Sequence, residues 1–194
     1  MSNQIRIIGG EWRSRQISFD DAPGLRPTPA RVRETLFNWL QTDILSSRCL
    51  DLYAGSGALG LEAASRGARQ VVQVENNPTS CQNLRQNIAR LAASQVKVVQ
   101  QDVDKFLSSP AQTFDLVFLD PPFGQNLIAQ TCQLLETNGW LADYAKIYLE
   151  SERNQPITDL PPNWRVLKAK TAGDVSYSLL QKQSDTFAAT NSLK

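Results

Sequence analysis

The tetrapeptide Asp120-Pro121-Pro122-Phe123 is the segment of this sequence with the clearest capacity for chemistry. It directly follows the apolar run 114–119, which predicts a buried strand, so it lies where open α/β sheets bind their ligands. Two prolines remove N–H donors and hold the local carbonyls as acceptors beside the Asp120 carboxylate, while Phe123 offers a flat aromatic face. Such a group suits a planar base with an exocyclic NH2, although a simple strand-ending turn explains the same residues equally well.

A glycine-rich turn forms the second candidate site. The pattern G-x-G-x-x-G starts at Gly55, directly after the apolar run 49–53, and precedes a segment with helical periodicity. Glycines permit a tight turn, and the N–H groups that begin the following helix can bind a ligand. The turn is compatible with a dinucleotide site, a methyl-donor site or a purely structural connection. Its candidate binding residues are Tyr53, Ala54, Gly55, Ser56, Gly57 and Gly60.

Acidic residues at the ends of predicted strands help to distinguish these cofactors. Glu75 has the spacing expected of a carboxylate that accepts two ribose hydroxyls, which NAD and S-adenosylmethionine share. Asp51 precedes the glycines, where a carboxylate would repel a pyrophosphate but suit the ammonium group of a methionine moiety. Asp102 ends a third strand and could accept from an adenine amine, so an adenosyl cofactor fits this lining better than a diphosphate does. The predicted cofactor residues on these strand ends are Asp51, Glu75, Asn76, Asp102 and Val103.

Composition excludes several kinds of site. The 194 residues include no histidine, which rules out Ser-His-Asp and Cys-His catalysis and histidine-bound zinc. Cys49, Cys81 and Cys132 are odd in number and far apart, so they predict buried packing residues, neither disulfides nor a thiolate metal site. The apolar runs are too short to cross a membrane, and the N-terminus does not resemble a signal peptide. We therefore expect a cytoplasmic enzyme that binds no metal and no membrane.

Basic charge is concentrated near the N-terminus. Residues 1–48 contain seven arginines, no lysine and five acids, a net charge of +2, whereas the remaining 146 residues carry a net charge of −1. Guanidinium groups suit phosphate oxygens, so this arm could contact a nucleic acid; a solvated arm with local ion pairs is the alternative. The candidate nucleic-acid-binding residues are Arg6, Arg13, Arg15, Arg26, Arg31 and Arg33.

The N-terminal arm is predicted to contain a hairpin and a helix. Residues 5–19 predict a hairpin with a tight turn at its Gly-Gly pair, because adjacent glycines supply the positive φ that such turns need. Thr28, which is followed by proline, predicts the N-cap of a helix whose buried stripe recurs every four residues from Val32. Arg31 and Arg33 lie off that stripe.

From residue 49 onward, predicted strands alternate with predicted helices. The strands are expected near 49–53, 71–75, 96–100, 114–119, 145–150, 164–170 and 175–181. The helices are expected near 58–66, 78–92, 103–107 and 126–137. Alternation through residue 119 implies a parallel sheet with helices on both faces. The last two strands have no helix between them, so they should form an antiparallel hairpin at one edge of the sheet.

With these motifs the sequence resembles the class I S-adenosylmethionine-dependent methyltransferases. The order and spacing of four features match the cofactor and catalytic motifs of that class. These features are Asp51 with the glycine turn, Glu75, Asp102 and the Asp-Pro-Pro-Phe motif. Within the class, the chain is similar to the bacterial 16S rRNA guanine-N2 methyltransferases over essentially its whole length to about Gln181. The arginine-rich segment 26–40 is the most specific of these similarities. The stretches that carry the resemblance are 8–13, 26–40 and 51–57.

The resemblance implies a Rossmann-like α/β fold. Its sheet would have seven mostly parallel strands, helices on both faces and a C-terminal antiparallel hairpin, and a β-hairpin and helix would extend the N-terminus. Residues 1–47 would form this RNA-contacting extension and residues 48–183 the cofactor-binding catalytic domain, with a disordered tail over 184–194. Two features depart from the family: the tail lies outside the similarity, and Phe123 replaces a tyrosine that many relatives use.

The resemblance also implies a reaction. S-adenosylmethionine would be the cofactor, and the substrate would be the N2 amine of a guanine in 16S rRNA, within the small ribosomal subunit or an assembly intermediate. Asp120, Pro121, Pro122 and Phe123 would form the catalytic site. The alternatives are an adenine-N6 methyltransferase of RNA or DNA, an NAD(P) oxidoreductase and a non-catalytic RNA-binding module. The sequence leaves the oligomeric state open, with a monomer as the simplest expectation.

Overall fold

The computed structural model describes residues 2–20, 27–153 and 159–184, and within these ranges it contains two β-sheets and five α-helices. In chain order the elements are β1 (Ser2–Arg6), β2 (Gln16–Asp20), α1 (Ala30–Trp39), β3 (Arg48–Leu52), α2 (Ala58–Ser65), β4 (Gln70–Glu75), α3 (Pro78–Leu91), β5 (Val96–Gln100), α4 (Val103–Leu107), β6 (Phe114–Leu119), α5 (Leu127–Thr137), β7 (Leu141–Glu152), β8 (Trp164–Ala172) and β9 (Val175–Lys182). The elements predicted from residue 49 onward are confirmed, with β7 starting four residues earlier than expected. The predicted tail lies outside the described residues from 185 onward.

Seven strands form the main sheet, in the order β5-β4-β3-β6-β7-β9-β8. Neighbouring strands from β5 to β7 are parallel, and β9 is antiparallel to both β7 and β8. This arrangement confirms the predicted mostly parallel sheet and its C-terminal hairpin. The strand order reverses at β3, which pairs with both β4 and β6, and doubly wound sheets bind their ligands outside the carboxyl ends of strands at such a point.

Apolar side chains cover both faces of the main sheet. One cluster contains residues of α1, α2 and α3, including Leu36 and Leu61, packed with Phe118 of the sheet. The other contains residues of α4 and α5 packed around Phe114 and Trp140. The predicted placement of helices on both faces is therefore confirmed. Because the first cluster also contains residues of the N-terminal extension, the extension and the sheet share one core.

Cysteines and potential metal ligands are dispersed. Cys49, Cys81 and Cys132 are free and buried, which confirms their predicted packing role. Among the residues that the structure describes, no group of three or more His, Cys, Asp or Glu side chains could hold a metal ion. None of the helices in the described ranges is long and apolar enough to cross a membrane.

The N-terminal hairpin differs from the prediction. β1 and β2 pair as expected, but residues 7–15 join them as a long connection, so the predicted tight turn at Gly9-Gly10 is wrong. The connection packs against α2, where the Gly9 N–H donates to Glu62 Oε1 at 2.8 Å. Gly10 has a φ of 78°, and a Cβ atom there would overlap the Ser65 carbonyl group. The glycines therefore allow a close approach to α2 instead of closing a two-residue turn.

Helix α1 starts two residues later than its predicted cap. Pro29 is the N-cap and Ala30 the first helical residue, so the predicted N-cap role of Thr28 is wrong. The Thr28 side chain is instead buried near two carboxyl groups at the edge of the main sheet, Asp120 and Glu150, and acts to lower the pKa of each. The predicted apolar stripe of α1 is buried against the sheet, which confirms the amphipathic character of the helix.

Candidate active site

A cavity of about 1080 Å³ opens at the carboxyl ends of the parallel strands. Its walls come from the glycine turn, from several strand ends and from the segment that precedes α1. The predicted catalytic and cofactor residues that line it are Asp51, Tyr53, Ala54, Gly55, Ser56, Glu75, Asn76, Asp102, Val103, Asp120, Pro121, Pro122 and Phe123. A volume of this order accommodates a small-molecule cofactor together with part of a second ligand.

Two of the predicted cofactor residues, Gly57 and Gly60, do not line this cavity. Gly57 is the N-cap of α2 with a φ of 77°, and a Cβ atom there would overlap the Leu84 side chain. At Gly60 a Cβ atom would lie 2.7 Å from Asp51 Oδ2 and 2.6 Å from Gln73 Nε2. These glycines therefore let α2 approach β3 and β4 closely, and they shape the turn from behind the cavity wall.

Asp51 lies in the cavity wall with only 3% of its surface exposed. Its Oδ2 atom accepts hydrogen bonds from the Gly60 N–H at 2.9 Å and from Gln73 Nε2 at 3.0 Å. Burial raises the pKa of Asp51 to about 7, although both hydrogen bonds act to lower it. A cationic group of a ligand at this wall would compensate the buried negative charge.

We predict that Asp51→Asn stabilises the protein at neutral and alkaline pH. Because the pKa of Asp51 is raised from 3.8 to about 7 by folding, its contribution to stability is present below the lower value and lost as the pH rises through the higher one. The stability difference between the variant and the wild type should grow across this interval, by up to about 1.4 kcal/mol per unit of pKa shift, and then level off. Urea unfolding between pH values of about 4 and 8 measures it, and a pH-independent difference would contradict the prediction.

Glu75 and Asp102 lie near the ends of β4 and β5. The two Glu75 oxygens accept hydrogen bonds from the Gly55 N–H at 2.9 Å and the Asn77 N–H at 2.8 Å, so this carboxylate joins the glycine turn to the start of α3. Asp102 is the N-cap of α4, and its Oδ1 atom accepts from the Asp104 N–H at 3.0 Å. An ionised carboxylate has about four acceptor positions, so both groups keep acceptor capacity for a ligand in the cavity.

Asp120 follows the last residue of β6 and lines the cavity together with Pro121 and Pro122, which form the prolyl turn. Burial raises the pKa of Asp120 well above its ordinary value, and the charges of Glu150 and Asp51 raise it further, while a hydrogen bond with Thr28 lowers it. Phe123 is 45% exposed, so its ring is accessible at the cavity. The tetrapeptide therefore brings a carboxyl group and an aromatic face into the cavity that also contains Asp51, Glu75 and Asp102. We call these three residues the acidic wall.

Sequence reasoning missed three residues beside Asp120. Glu150, on β7, is 3% exposed, and its Oε1 atom accepts a hydrogen bond from the Tyr148 hydroxyl at 2.7 Å. Burial raises the pKa of Glu150, and hydrogen bonds from Tyr148 and Thr28 oppose the increase. Glu150 could have been found, because it is an acid at the end of a predicted strand, like the other acids of the cavity. Thr28 could not, since its partners are far away in the sequence.

The predicted arginine arm is only partly available to a nucleic acid. Arg6, Arg13, Arg15 and Arg31 are exposed, and Arg26 lies outside the described residues. The exposed members keep their candidate role in phosphate binding.

Arg33 is buried, so its predicted contact with a nucleic acid is wrong. Only 3% of its surface is exposed, because its side chain lies between the hairpin and α2. Its Nε atom donates to the Thr28 carbonyl at 3.1 Å, and its Nη1 atom donates to the Arg6 carbonyl at 3.0 Å. Nη1 also lies 3.4 Å from Oε2 of Glu62, which is fully buried on α2. Arg33 therefore joins the N-terminal hairpin to helix α2, which packs on the main sheet.

Comparison with known proteins identifies the family. Residues 5–181 match the protein family described as conserved hypothetical protein 95. Ribosomal RNA small subunit methyltransferase D of Escherichia coli K12 is 49% identical over 183 residues, which cover 94% of this chain and 92% of that protein. The protein of the same name from Haemophilus influenzae is 47% identical over 182 residues, covering 92% of this chain and 94% of its own length.

The fold is shared with solved structures as well. The yhhF protein of Escherichia coli superposes with a TM-score of 0.86 and 46% sequence identity, covering 93% of this chain and 99% of that one. The matched part of the sequence includes the hairpin from residue 5 onward, α1 and nearly all of the main sheet. This chain therefore belongs to the family of the ribosomal RNA small subunit methyltransferase D proteins and has the fold of a class I S-adenosylmethionine-dependent methyltransferase.

Proposed function

We propose that this protein transfers a methyl group from S-adenosylmethionine to the N2 amine of a guanine in the RNA of the small ribosomal subunit. Membership of the family supports the broader statement, that the protein is an S-adenosylmethionine-dependent rRNA methyltransferase. The choice of an exocyclic amine rests on one observation: Asp120, the prolyl turn and Phe123 share a cavity with the acidic wall. Acceptors for an amine therefore lie in the same cavity as the candidate methyl-donor site.

The residues of the acidic wall fit the donor groups of S-adenosylmethionine. Glu75 suits the two ribose hydroxyls, Asp102 suits the amine of adenine, and Asp51 suits the ammonium group of the methionine part. Gly55 has no side chain, so the backbone of the turn can lie close to the ligand. When bound, this cofactor supplies a methyl group that the attached sulfonium makes electrophilic.

The contribution of the protein to the reaction is to position the amine. Guanine N2 is a weak nucleophile because its lone pair is delocalised into the ring. Acceptors at Asp120 and at the carbonyls of the prolyl turn bind its hydrogens and favour a pyramidal nitrogen whose lone pair points at the methyl group. Phe123 stacks on the base and fixes its plane. As the new N–C bond forms and the methyl–sulfur bond of the donor breaks, Asp120 would stabilise the positive charge on nitrogen, and that nitrogen would then lose a proton to water.

The N-terminal extension is suited to hold the RNA around the target base. Thr28 and Pro29, which connect the hairpin to α1, line the cavity itself, so the extension borders the entrance to the site. The exposed arginines of the extension can bind the phosphates on either side of the base. An unpaired base costs less to extract than a paired one, so we expect a guanine in a loop.

We predict that replacing Arg13 and Arg15 by Ala weakens RNA binding without changing the affinity for S-adenosylhomocysteine. Both side chains are exposed on the hairpin connection. Each phosphate contact that is lost should reduce the salt slope of RNA binding by about 0.7–0.9. A variant with Lys97→Ala and Arg165→Ala, which removes equal charge from exposed positions on β5 and β8, should keep the wild-type slope. An unaltered slope in the arginine variant would show that the arm is a solvated surface.

Methyl transfer to unmodified small subunits tests the proposed function. Purified protein is incubated with S-adenosylmethionine labelled in its methyl group and with subunits that lack the modification, and the labelled nucleotide is then mapped. Label on the N2 atom of a single guanine is the expected result. Label on an adenine amine would contradict the choice of base, and binding of RNA without methyl transfer would favour a non-catalytic RNA-binding module.

A further inference from the structure

Glu150 lies beside Asp120 on the neighbouring parallel strand. The register of β6 and β7 pairs Leu119 with Leu149, so Asp120 and Glu150 are the next residues on each strand. Adjacent strands are about 4.8 Å apart, and residues that face each other in a sheet project to the same side. Both residues line the cavity that contains the prolyl turn. The candidate amine site therefore has a second carboxyl group next to the first.

The Tyr148 hydroxyl fixes the Glu150 side chain, and among the residues that the structure describes no Lys or Arg forms an ion pair with Asp120 or Glu150. The Tyr148 hydroxyl donates to Glu150 Oε1 at 2.7 Å, and Thr28 lines the same cavity and acts to lower the pKa of both carboxyl groups. The charged group that acts on Asp120 besides Glu150 is another acid, Asp51. A ligand that brings N–H donors to both carboxyl groups would favour their ionised forms.

The bases differ in what lies next to the exocyclic amine. In guanine the N2 amine adjoins the ring N1–H, so two donors stand side by side. In adenine the N6 amine adjoins N1 without a hydrogen, so a donor stands beside an acceptor. A carboxylate beside the group that accepts from the amine can accept the N1–H of guanine. The same carboxylate repels the N1 lone pair of adenine.

We propose that Glu150 determines base specificity by accepting the N1–H of the target guanine while Asp120 accepts from its N2 amine. Tyr148 and Thr28 hold the Glu150 carboxylate in place for this contact. The proposal rests on the proposed function at the same site. In addition to Asp120, which orients the amine, it assigns to Glu150 the recognition of the base.

A guanine analogue tests this role. 2-Aminopurine keeps the amine at position 2 but has an N1 atom without hydrogen and no O6 atom, so the change of preference in the matched variant below is the part of the test that isolates N1. It is placed at the target position of an RNA substrate and compared with guanine in single-turnover methyl transfer. We expect the wild type to methylate guanine roughly 10–100-fold faster, which corresponds to the loss of one hydrogen bond to a charged group. Equal rates on the two bases would overturn the proposal.

Glu150→Gln provides the matched variant, because the amide can donate to a bare N1 atom as well as accept from N1–H. In this variant the ratio of the rate on guanine to the rate on 2-aminopurine should fall to within a few fold of one. Compared with the wild type, the rate on guanine should be lower and the rate on 2-aminopurine equal or higher. A preference unchanged from the wild type would overturn the proposal. Binding of S-adenosylhomocysteine confirms that the variant is folded.

Binding without cofactor gives a second readout. The fluorescence of 2-aminopurine in the RNA should report tighter binding to Glu150→Gln than to the wild type, and weaker binding to the variant would contradict the role. The two levels of the hypothesis fail separately. If the wild type does not methylate guanine in its natural RNA, the proposed function is wrong. If it methylates guanine and 2-aminopurine at the same rate, only the role of Glu150 is wrong.

Discussion

Asp120→Ala is expected to lower the single-turnover rate of methyl transfer by roughly 10²–10³-fold, the effect of removing one preorganised electrostatic contact in other enzymes. The carboxyl group ends β6 beside the prolyl turn and Phe123, where it would accept from the amine and stabilise the charge that develops on it. Binding of S-adenosylhomocysteine should change little, because Glu75, Asp102 and the glycine turn remain in place.

Two further variants make this prediction specific. Asp120→Asn retains one acceptor oxygen, so it should recover part of the rate that the alanine variant loses. Asp143→Ala removes an exposed carboxylate from the early part of β7, and it should behave like the wild type. If Asp120→Ala kept nearly the wild-type rate, the prolyl turn would not be the methylation site, and the binding-module interpretation would gain support.

Glu62→Ala is expected to reduce the free energy of unfolding by about 3–5 kcal/mol, the usual cost of leaving a buried charge without its partner. Glu62 is fully buried and lies 3.4 Å from Arg33 Nη1 and 2.8 Å from Arg66 Nε. It also accepts hydrogen bonds from the N–H groups of Ile8 and Gly9, both at 2.8 Å. Its removal leaves the Arg33 guanidinium buried and removes two of the hydrogen bonds between the hairpin connection and α2, while the bonds to Ser65 remain.

Urea unfolding followed by circular dichroism measures this loss. Glu34→Ala removes an exposed carboxylate from α1 and should change stability by less than about 0.5 kcal/mol. A double variant with Arg33→Met and Glu62→Leu removes both charges and should recover the part of the loss that comes from the unpaired guanidinium, since apolar replacements of a buried pair are often neutral. A small effect of Glu62→Ala alone would mean that water reaches Arg33 and that the extension is only loosely attached.

The sheet and the cavity could be predicted because their signals are local. Each parallel strand is a short apolar run that ends near an acid, as at Glu75 and Asp120, and parallel strands place their carboxyl ends at one edge of a sheet. The glycine turn after β3 could be predicted from consecutive residues, without information on residues far away in the sequence. These local patterns were sufficient for most of the strand bounds of the main sheet, with the start of β7 as an exception, and for the acids and the glycine turn at the cavity.

The residues that were assigned wrongly depend on contacts between distant segments. Arg33 occupies a helical position beside the apolar stripe, and its burial follows from Glu62, which lies 29 residues further along the chain. The conformation around Gly10 follows from the approach of Ser65, and the role of Thr28 follows from carboxyl groups on β6 and β7. A helix or turn pattern reports on neighbours within a few residues, so it cannot encode such pairs.

We expect the sequences of α1 and α2 to vary together at Arg33 and Glu62, because the two charges form a buried ion pair. A chain that contained Arg33 without Glu62 would carry a buried cation without its carboxylate, at a cost of about 3–5 kcal/mol. Homologues should therefore contain both charges or replace both by apolar residues, and single replacements should be rare. Grafting this hairpin and helix onto another methyltransferase would require a buried acid on the recipient helix, and not only a basic surface on the donor segment.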